Sequence, residues 1–385
     1  MQTGRWAALL LVATALPACF LRSTRAEPKQ EVHFEPLQIT GDLDLDKLNA
    51  EELFAAGSSF FAAGEFKQAA RYFGRIADFH SESKHRREAL YNAGLAHERL
   101  EEWADASMRF AELADPEKGT GDALDAAFRV AETLYHLERY ADAVKTLAII
   151  AGRQDLPVNK RIEAQVQQGI CELEAGHRDV AEKLLRRSLT TYQDLADKDE
   201  VDDYFPAQAQ FFLGEIFRLN YEDVTLDGDK SVDQLSKDLE YKSELLLSAQ
   251  GHYLRAIRMG NGYWATAAGA QIGFLYENLY GHMIGAPAPK ELTPEEAEIY
   301  RQELRKKIRV LLTKAINIYE RTLEAAERIG AQNPFVERTR ESLQKMKDLL
   351  IAEAQRDDDT APPPLEKTDP PPKPPAKPGS LEPHS

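Results

Sequence analysis

The sequence predicts an all-α chain in which helical hairpins stack into a solenoid. One pattern recurs in phase every 37 residues: small residues at Gly57, Gly94 and Ala131, aromatics at Phe66, Trp103 and Tyr140, alanines at Ala69, Ala106 and Ala143, and bulky apolar residues at Phe73, Phe110 and Leu147. Composition alone does not keep such a phase; each unit presents an apolar face that only a neighbouring unit can bury. Composition adds a second observation, because 43% apolar content over 385 residues supports a large core while no long β-branched runs mark strands. A third is the helix start Thr293-Pro294-Glu295-Glu296, followed by helical apolar spacing as far as Gly330.

From the N-terminus, residues 1–26 read as a targeting segment: Arg5 precedes an apolar run from Trp6 to Leu16, too short to span a bilayer comfortably. Leu16-Pro17-Ala18-Cys19 resembles the bacterial lipobox, which implies acylation of Cys19 and an outer-membrane lipoprotein facing the periplasm. Pro17 departs from the usual residue there, and cleavage after Thr24-Arg25-Ala26, giving a soluble periplasmic protein, is the alternative. Residues 27–48 are polar and lack sustained helical spacing, as a tether would.

Repeats are expected over 49–292. The first carries Leu53, Ala56, Gly57, Phe60, Gly64-Glu65-Phe66, Ala69 and Phe73; the second Leu90, Ala93, Gly94, Trp103, Ala106 and Phe110; the third Ala127, Val130, Ala131, Leu134, Tyr140, Ala143 and Leu147. These residues resemble the tetratricopeptide repeat, where small residues let two antiparallel helices approach and large ones wedge between repeats. That family's unit is typically about 34 residues, so a longer connection between units is expected here. Stretched units of this kind look like those of exported bacterial proteins of the outer-membrane-assembly and Tol-Pal-associated kind.

A fourth unit keeps Gly169, Gly176, Ala181 and Leu185, with Arg178 in the aromatic position. A fifth is expected after Pro206, with Phe211, Gly214 and Phe217, its second helix (Ala249, Tyr253, Ala256) delayed by an insertion near 221–245. A sixth opens near Trp264, runs through Gly273 and Tyr276, and ends around Gly285-Ala286-Pro287. Residues 293–356 are expected to form two long helices, the second starting at Asn333-Pro334, that cap the open end. Ten of the 20 prolines fall between Pro362 and Pro383, so 357–385 reads as a proline-rich arm, either a spacer or a segment that docks on an aromatic groove.

The resemblance implies where function would sit, since in this family the first helix of each pair largely builds the concave face. Three before each anchor come Phe54, Tyr91, Phe128, Val166 and Phe211; six before come Glu51, Glu88, Asp125, Glu163 and Gln208; four after come Phe61, Glu98, Tyr135, Leu173 and Arg218. The expected groove is an aromatic ladder edged by carboxylates, with Glu51, Phe54, Phe61, Glu88, Tyr91, Asp125, Phe128, Tyr135, Glu163 and Phe211 as candidate binding residues. Such a surface suits a protein segment bearing apolar side chains and Lys or Arg. The alternative is that the aromatics pack between neighbouring first helices and the acids form a solvated face.

A net charge of -16 without a basic stripe makes nucleic acid an unexpected partner, and membrane association would rest on lipid at Cys19. No paired-His zinc helix, phosphate-cradling glycine loop or nucleophile elbow is present, so no enzyme activity and no cofactor are expected. Asp223 to Gln234 only partly follows a calcium loop, because Gln234 stands where a bidentate Glu should close the shell and Lys230 opposes a cation. Cys171, in an expected helix, reads as a buried structural thiol. The sequence thus points to a non-enzymatic scaffold of the cell envelope; the alternatives are a structural repeat protein that binds or self-associates through its convex or C-terminal capping surface, and an enzyme with a site in the insertion near 221–245.

Overall fold

A computed structural model describes residues 44–195, 202–226 and 230–360; the targeting segment with Cys19 and the proline-rich stretch from 361 lie outside them. The described residues hold thirteen α-helices and no strand. Six hairpins follow one another: α1 (Ala50–Ala62) with α2 (Phe66–Phe79), α3 (Arg86–Arg99) with α4 (Trp103–Ala111), and α5 (Asp122–His136) with α6 (Tyr140–Gly152). Then come α7 (Val158–Glu174) with α8 (Arg178–Gln193), α9 (Tyr204–Asp223) with α10 (Val232–Arg258), and α11 (Gly262–Gly285) with α12 (Pro294–Ile329). A final helix, α13 (Pro334–Thr360), packs on α11 and α12.

One contact organises every hairpin. The small anchor of the first helix faces the large residue of the second so closely that a Cβ added to Gly94 would lie 2.6 Å from the Phe110 ring. The same holds for Gly57 with Phe73, Gly169 with Leu185, Gly214 with Tyr253 and Gly273 with Tyr319. The large partners are buried, Phe110 and Tyr253 completely. The hairpins are therefore locked by a ring or branched side chain seated on bare backbone, a close approach that only a small residue permits.

The turn inside each of the first four hairpins repeats as well. Gly64, Glu101, Glu138 and Gly176 all have positive φ, at 78°, 59°, 57° and 84°. Two of these turns thus place a glutamate in left-handed backbone, where a side chain costs about 1–2 kcal/mol. At the first helix, Asn49 and Glu52 form a capping box, each side chain accepting from the other's backbone N–H at 3.0 Å.

The C-terminal units depart from the regular ones in informative ways. α9 begins at Tyr204 rather than after Pro206, because a proline in the first turn sacrifices no helical hydrogen bond. Most of the expected insertion is a lengthening of α10 at its N-terminal end, capped by Ser231. The ammonium of Lys242, with no exposed surface, donates to the carbonyls of Tyr221 and Val224 at 2.6 and 2.8 Å and lies 3.8 Å from the centroid of the Tyr221 ring. It closes the C-terminus of α9, where carbonyls lack partners. α12 serves twice, as the second helix of the sixth hairpin and as the first of the two long C-terminal helices. It starts on the Thr293–Glu296 capping box with Pro294 in its first turn and stops on left-handed Gly330. Its 36 residues span about 54 Å at 1.5 Å per residue.

Candidate functional site: a groove along the first helices

First helices pack on one another along the C-terminal half: α7 touches α9, α9 touches α11 and α11 touches α13. No comparably close pairing joins one second helix to the next among the described residues. Over that half the first helices therefore lie on the inner side of the stack.

In the first two units the candidate residues are engaged within and between repeats. Phe54 stacks on His85 (4.6 Å between centroids) and meets Phe73 edge-on; Tyr91 meets Phe110 edge-on at 5.5 Å, and Phe61 meets Phe66 at 5.3 Å. Each is half-buried. Glu51 lies 3.0 Å from Lys84 and 3.1 Å from His85, and the hydrogen bond from His85, then Lys84, holds its carboxyl below the usual carboxylate range. Glu88 is exposed, 3.9 Å from His85. Glu51 thus meets side chains carried by the segment leading into the next repeat.

Phe211 is a correction. It is 5% exposed and packs against Tyr253, Trp264 and Phe335. α11 and α13 cover the inner side of α9 at that level, so Phe211 belongs to the core rather than to a groove wall.

Around α5, α7 and α9 the candidates converge. Phe128, Tyr135 and Glu163 line one cavity of about 280 Å³, together with Glu132 of α5, Gln167 of α7, and Tyr204, Gln208 and Phe212 of α9. Glu163 lies 3.1 Å from Lys160, which also reaches Asp125 at 3.6 Å and sits 5.0 Å from the Phe128 ring centroid. Burial pushes the Glu163 carboxyl up despite Lys160, with Asp125 and Glu132 adding to the rise. The Tyr135 hydroxyl donates to Glu174 at 3.4 Å, and burial beside that carboxylate pushes it up to about 12.

One repeat earlier, Glu98 is raised to about 7 by burial although Arg129 stands 3.2 Å away, and Glu98 Oε1 is buried without a donor. Arg129 in turn holds Glu132 at 3.1 Å. Glu98, Gln208 and Arg218 fall on the expected rows. Glu132, Tyr204 and Phe212 do not, since they face the cavity only because α5 and α9 flank α7 there.

Other possible chemistry is less developed. Cys171 is 2% exposed and burial pushes its thiol up to about 12, which keeps it protonated and unreactive. Among the described residues, His97, Glu102 and Asp105 form the one group with metal-ligand proximity. His97 bonds Glu102 at 2.7 Å across its hairpin turn, and the fourth unit has the swapped pair Glu172 and His177 at the same distance and position. A turn lock explains both pairs. In the partial calcium-loop motif, residues 227–229 lie outside the described residues, while Lys230 pairs with Asp238. Burial lowers Lys242 to about 8, but with both carbonyls and the Tyr221 ring around it, it is a helix cap rather than a nucleophile.

No protein-family profile and no curated protein sequence matches the chain. Among solved structures, apo RapI aligns at TM-score 0.41 and 11% identity, covering 80% of this chain and 100% of its own. A tetratricopeptide repeat protein from Parabacteroides merdae aligns at TM-score 0.34 and 13% identity, covering 78% and 98%. A TPR repeats protein from Bacteroides fragilis aligns at 0.27 and 14%, covering 55% and 91%. The deciding observation is internal, namely six successive hairpins each closed by the same small-on-large contact. The fold is a tetratricopeptide-type solenoid.

Proposed function

We propose that this protein is a non-enzymatic scaffold of the bacterial cell envelope that holds extended or helical protein segments against its first helices. The observation carrying this reading is the convergence of Phe128, Tyr135 and Glu163, from two successive repeats, on one open cavity. Aromatic walls supply burial and cation-π contact, and carboxylates supply steering toward basic side chains. A solenoid of this type is a structural platform for protein partners.

The envelope assignment is supported by the sequence before residue 27 and by the Cys19 pattern, with lipid rather than the acidic body as the route to a membrane. Intact mass of membrane-fraction protein, with and without globomycin, tests it: an acylated Cys19 supports the anchor, and an unmodified start at Glu27 replaces it with a soluble periplasmic adaptor. For the groove, a photo-crosslinker at Phe128 should trap a partner in cells, while one at exposed Met108 on α4 should not. Equal trapping at both positions would sink the groove reading.

A second reading has its own observation. An apolar cavity of about 330 Å³ opens between α10, α11 and α12, lined by Ile257, Ile272, Ile318 and Ala325, with Leu254 and Ile329 at 38% and 57% exposure. Contact through this side, including self-association, predicts that Ile329→Asp removes partner binding or shifts the sedimentation coefficient. The groove reading predicts neither.

A further inference from the structure

We propose that the cavity between α5, α7 and α9 is a seat for a single guanidinium group, carried by an arginine of the bound segment. This rests on the groove reading above and specifies the chemistry of its occupant.

Size comes first. At about 280 Å³ the cavity falls just below the range of about 300–1,000 Å³ usual for small-molecule sites, so it suits one side chain better than a cofactor. The decisive group is Gln208. Its side chain lines the cavity, the residue is 7% exposed, and its carbonyl oxygen is buried without a donor. A buried acceptor left unmet costs free energy, and native chains rarely keep one without a use. An occupant that brings an N–H or O–H would meet it once the Gln208 amide turns toward the cavity.

Charge selects among donors. Of the acids that line the cavity, Glu132 shares Arg129 with Glu98 and Glu163 shares Lys160 with Asp125, so neither has a cation to itself. The chain already shows that these walls accept a cation, because Lys160 lies over the Phe128 ring while bonded to Glu163. Tyr204 and Phe212 supply further aromatic surface on the opposite side. A guanidinium matches better than an ammonium, since its planar fork can stack on a ring while donating in several directions at once, to Gln208 and to a carboxylate.

The test uses the mature full-length chain and NMR of the Gln208 side-chain amide. Three probes are compared: a capped Gly-Gly-Arg-Gly-Gly peptide, its citrulline counterpart, and N-acetyl-arginine methylamide. Each is raised to about 10 mM, enough to fill a site with Kd near 1 mM. The arginine peptide should move the Gln208 signal and the citrulline peptide should bind at least about tenfold more weakly. Gln208→Leu and Glu163→Gln should each weaken the arginine peptide about tenfold, while Gln208→Leu leaves the melting temperature unchanged or higher, because it removes the unmet acceptor.

Tighter binding by the peptide than by the methylamide assigns the seat to a protein segment, and equal binding assigns it to a free guanidinium compound and overturns the occupant proposed. No movement of Gln208 with either arginine probe overturns the seat itself. Peptide binding that is indifferent to both substitutions also overturns the seat, while crosslinking at Phe128 would still uphold the groove, so the two readings fail separately.

Discussion

The hairpin contact yields a quantitative test, because the third repeat solves the same packing problem with different residues. Where the second unit sets Gly94 against Phe110, the third sets Ala131 against Leu147, and both of those are buried. Gly94→Ala gains about 1 kcal/mol of helix propensity. It also drives a methyl to within 2.6, 2.6 and 2.9 Å of three Phe110 ring atoms, and the ring has no exposed side to move toward. Overpacking of that kind costs about 1–3 kcal/mol. The net is a destabilisation of up to about 2 kcal/mol. Phe110→Leu alone leaves space beside the bare glycine and should cost a similar amount.

Combined, the two substitutions recreate the Ala131/Leu147 arrangement. The double variant should lie within about 1 kcal/mol of the parent, with a coupling energy of about 1–3 kcal/mol in the stabilising direction. Urea unfolding followed by circular dichroism reads this as a shift in midpoint, provided the slope m stays constant and the transition remains single. Simple additivity, with the double variant as unstable as the sum of its parts, would refute the claim that this contact sets helix approach. Gly57→Ala is the internal control: the Phe73 ring stands 3.0–3.2 Å from the added methyl, so small adjustments suffice and the net change should be close to zero.

Three further outcomes follow from other features. Glu101→Gly should raise stability by about 0.5–1 kcal/mol, since relief of left-handed strain outweighs the extra freedom of the unfolded chain, and Gly176→Ala should lower it; melting curves report both. Lys242→Met strips two helix-end carbonyls of their donor and should cost about 2–4 kcal/mol. Because burial lowers Lys242 from 10.5 to about 8, the unfolded chain binds more protons between those values; parent stability therefore gains a rising component with pH across that window, which the variant lacks. Glu98 runs the other way: raised from 4.5 to about 7, it makes the folded chain hold the extra proton, so parent stability carries a component that falls as pH climbs from about 4.5 to 7. Denaturant titrations of Glu98→Gln should show that component removed, and an unchanged slope would reject the assignment.

Much of the fold was readable because a helix–helix approach is written in two residues. The 37-residue phase identified the small and large partners of the first three units, and Thr293 to Glu296 and Gly330 bounded α12. What could not be read was pairing across unequal spacing. Gly57 precedes Phe73 by 16 positions; the delayed helix with Tyr253, 39 after Gly214, is still legible, but Gly273 precedes Tyr319 by 46 across a helix start that reads as a separate cap, so periodicity missed α12 as the partner of α11. The groove residues show the same limit. Row positions located Phe128 and Glu163, but whether an aromatic on such a row faces outward depends on what covers it. Phe211 is covered by Trp264 and Phe335, residues more than 50 positions away in sequence.

The acidic edge is not uniform, and its variation argues where binding would concentrate. In the first unit Glu51 meets Lys84 and His85 of the segment that follows, while Glu88 of the second unit is exposed and lies 3.9 Å from His85. Such pairs between exposed groups add little stability, about 0–1 kcal/mol, and mainly fix the register of one repeat on the next. Between α5 and α9 burial raises Glu163 despite Lys160, and the Gln208 carbonyl goes unmet. A junction left polar, buried and incompletely paired holds free energy that an incoming donor would release. On that ground the middle of the groove, rather than its N-terminal turns, is where a partner gains most by docking.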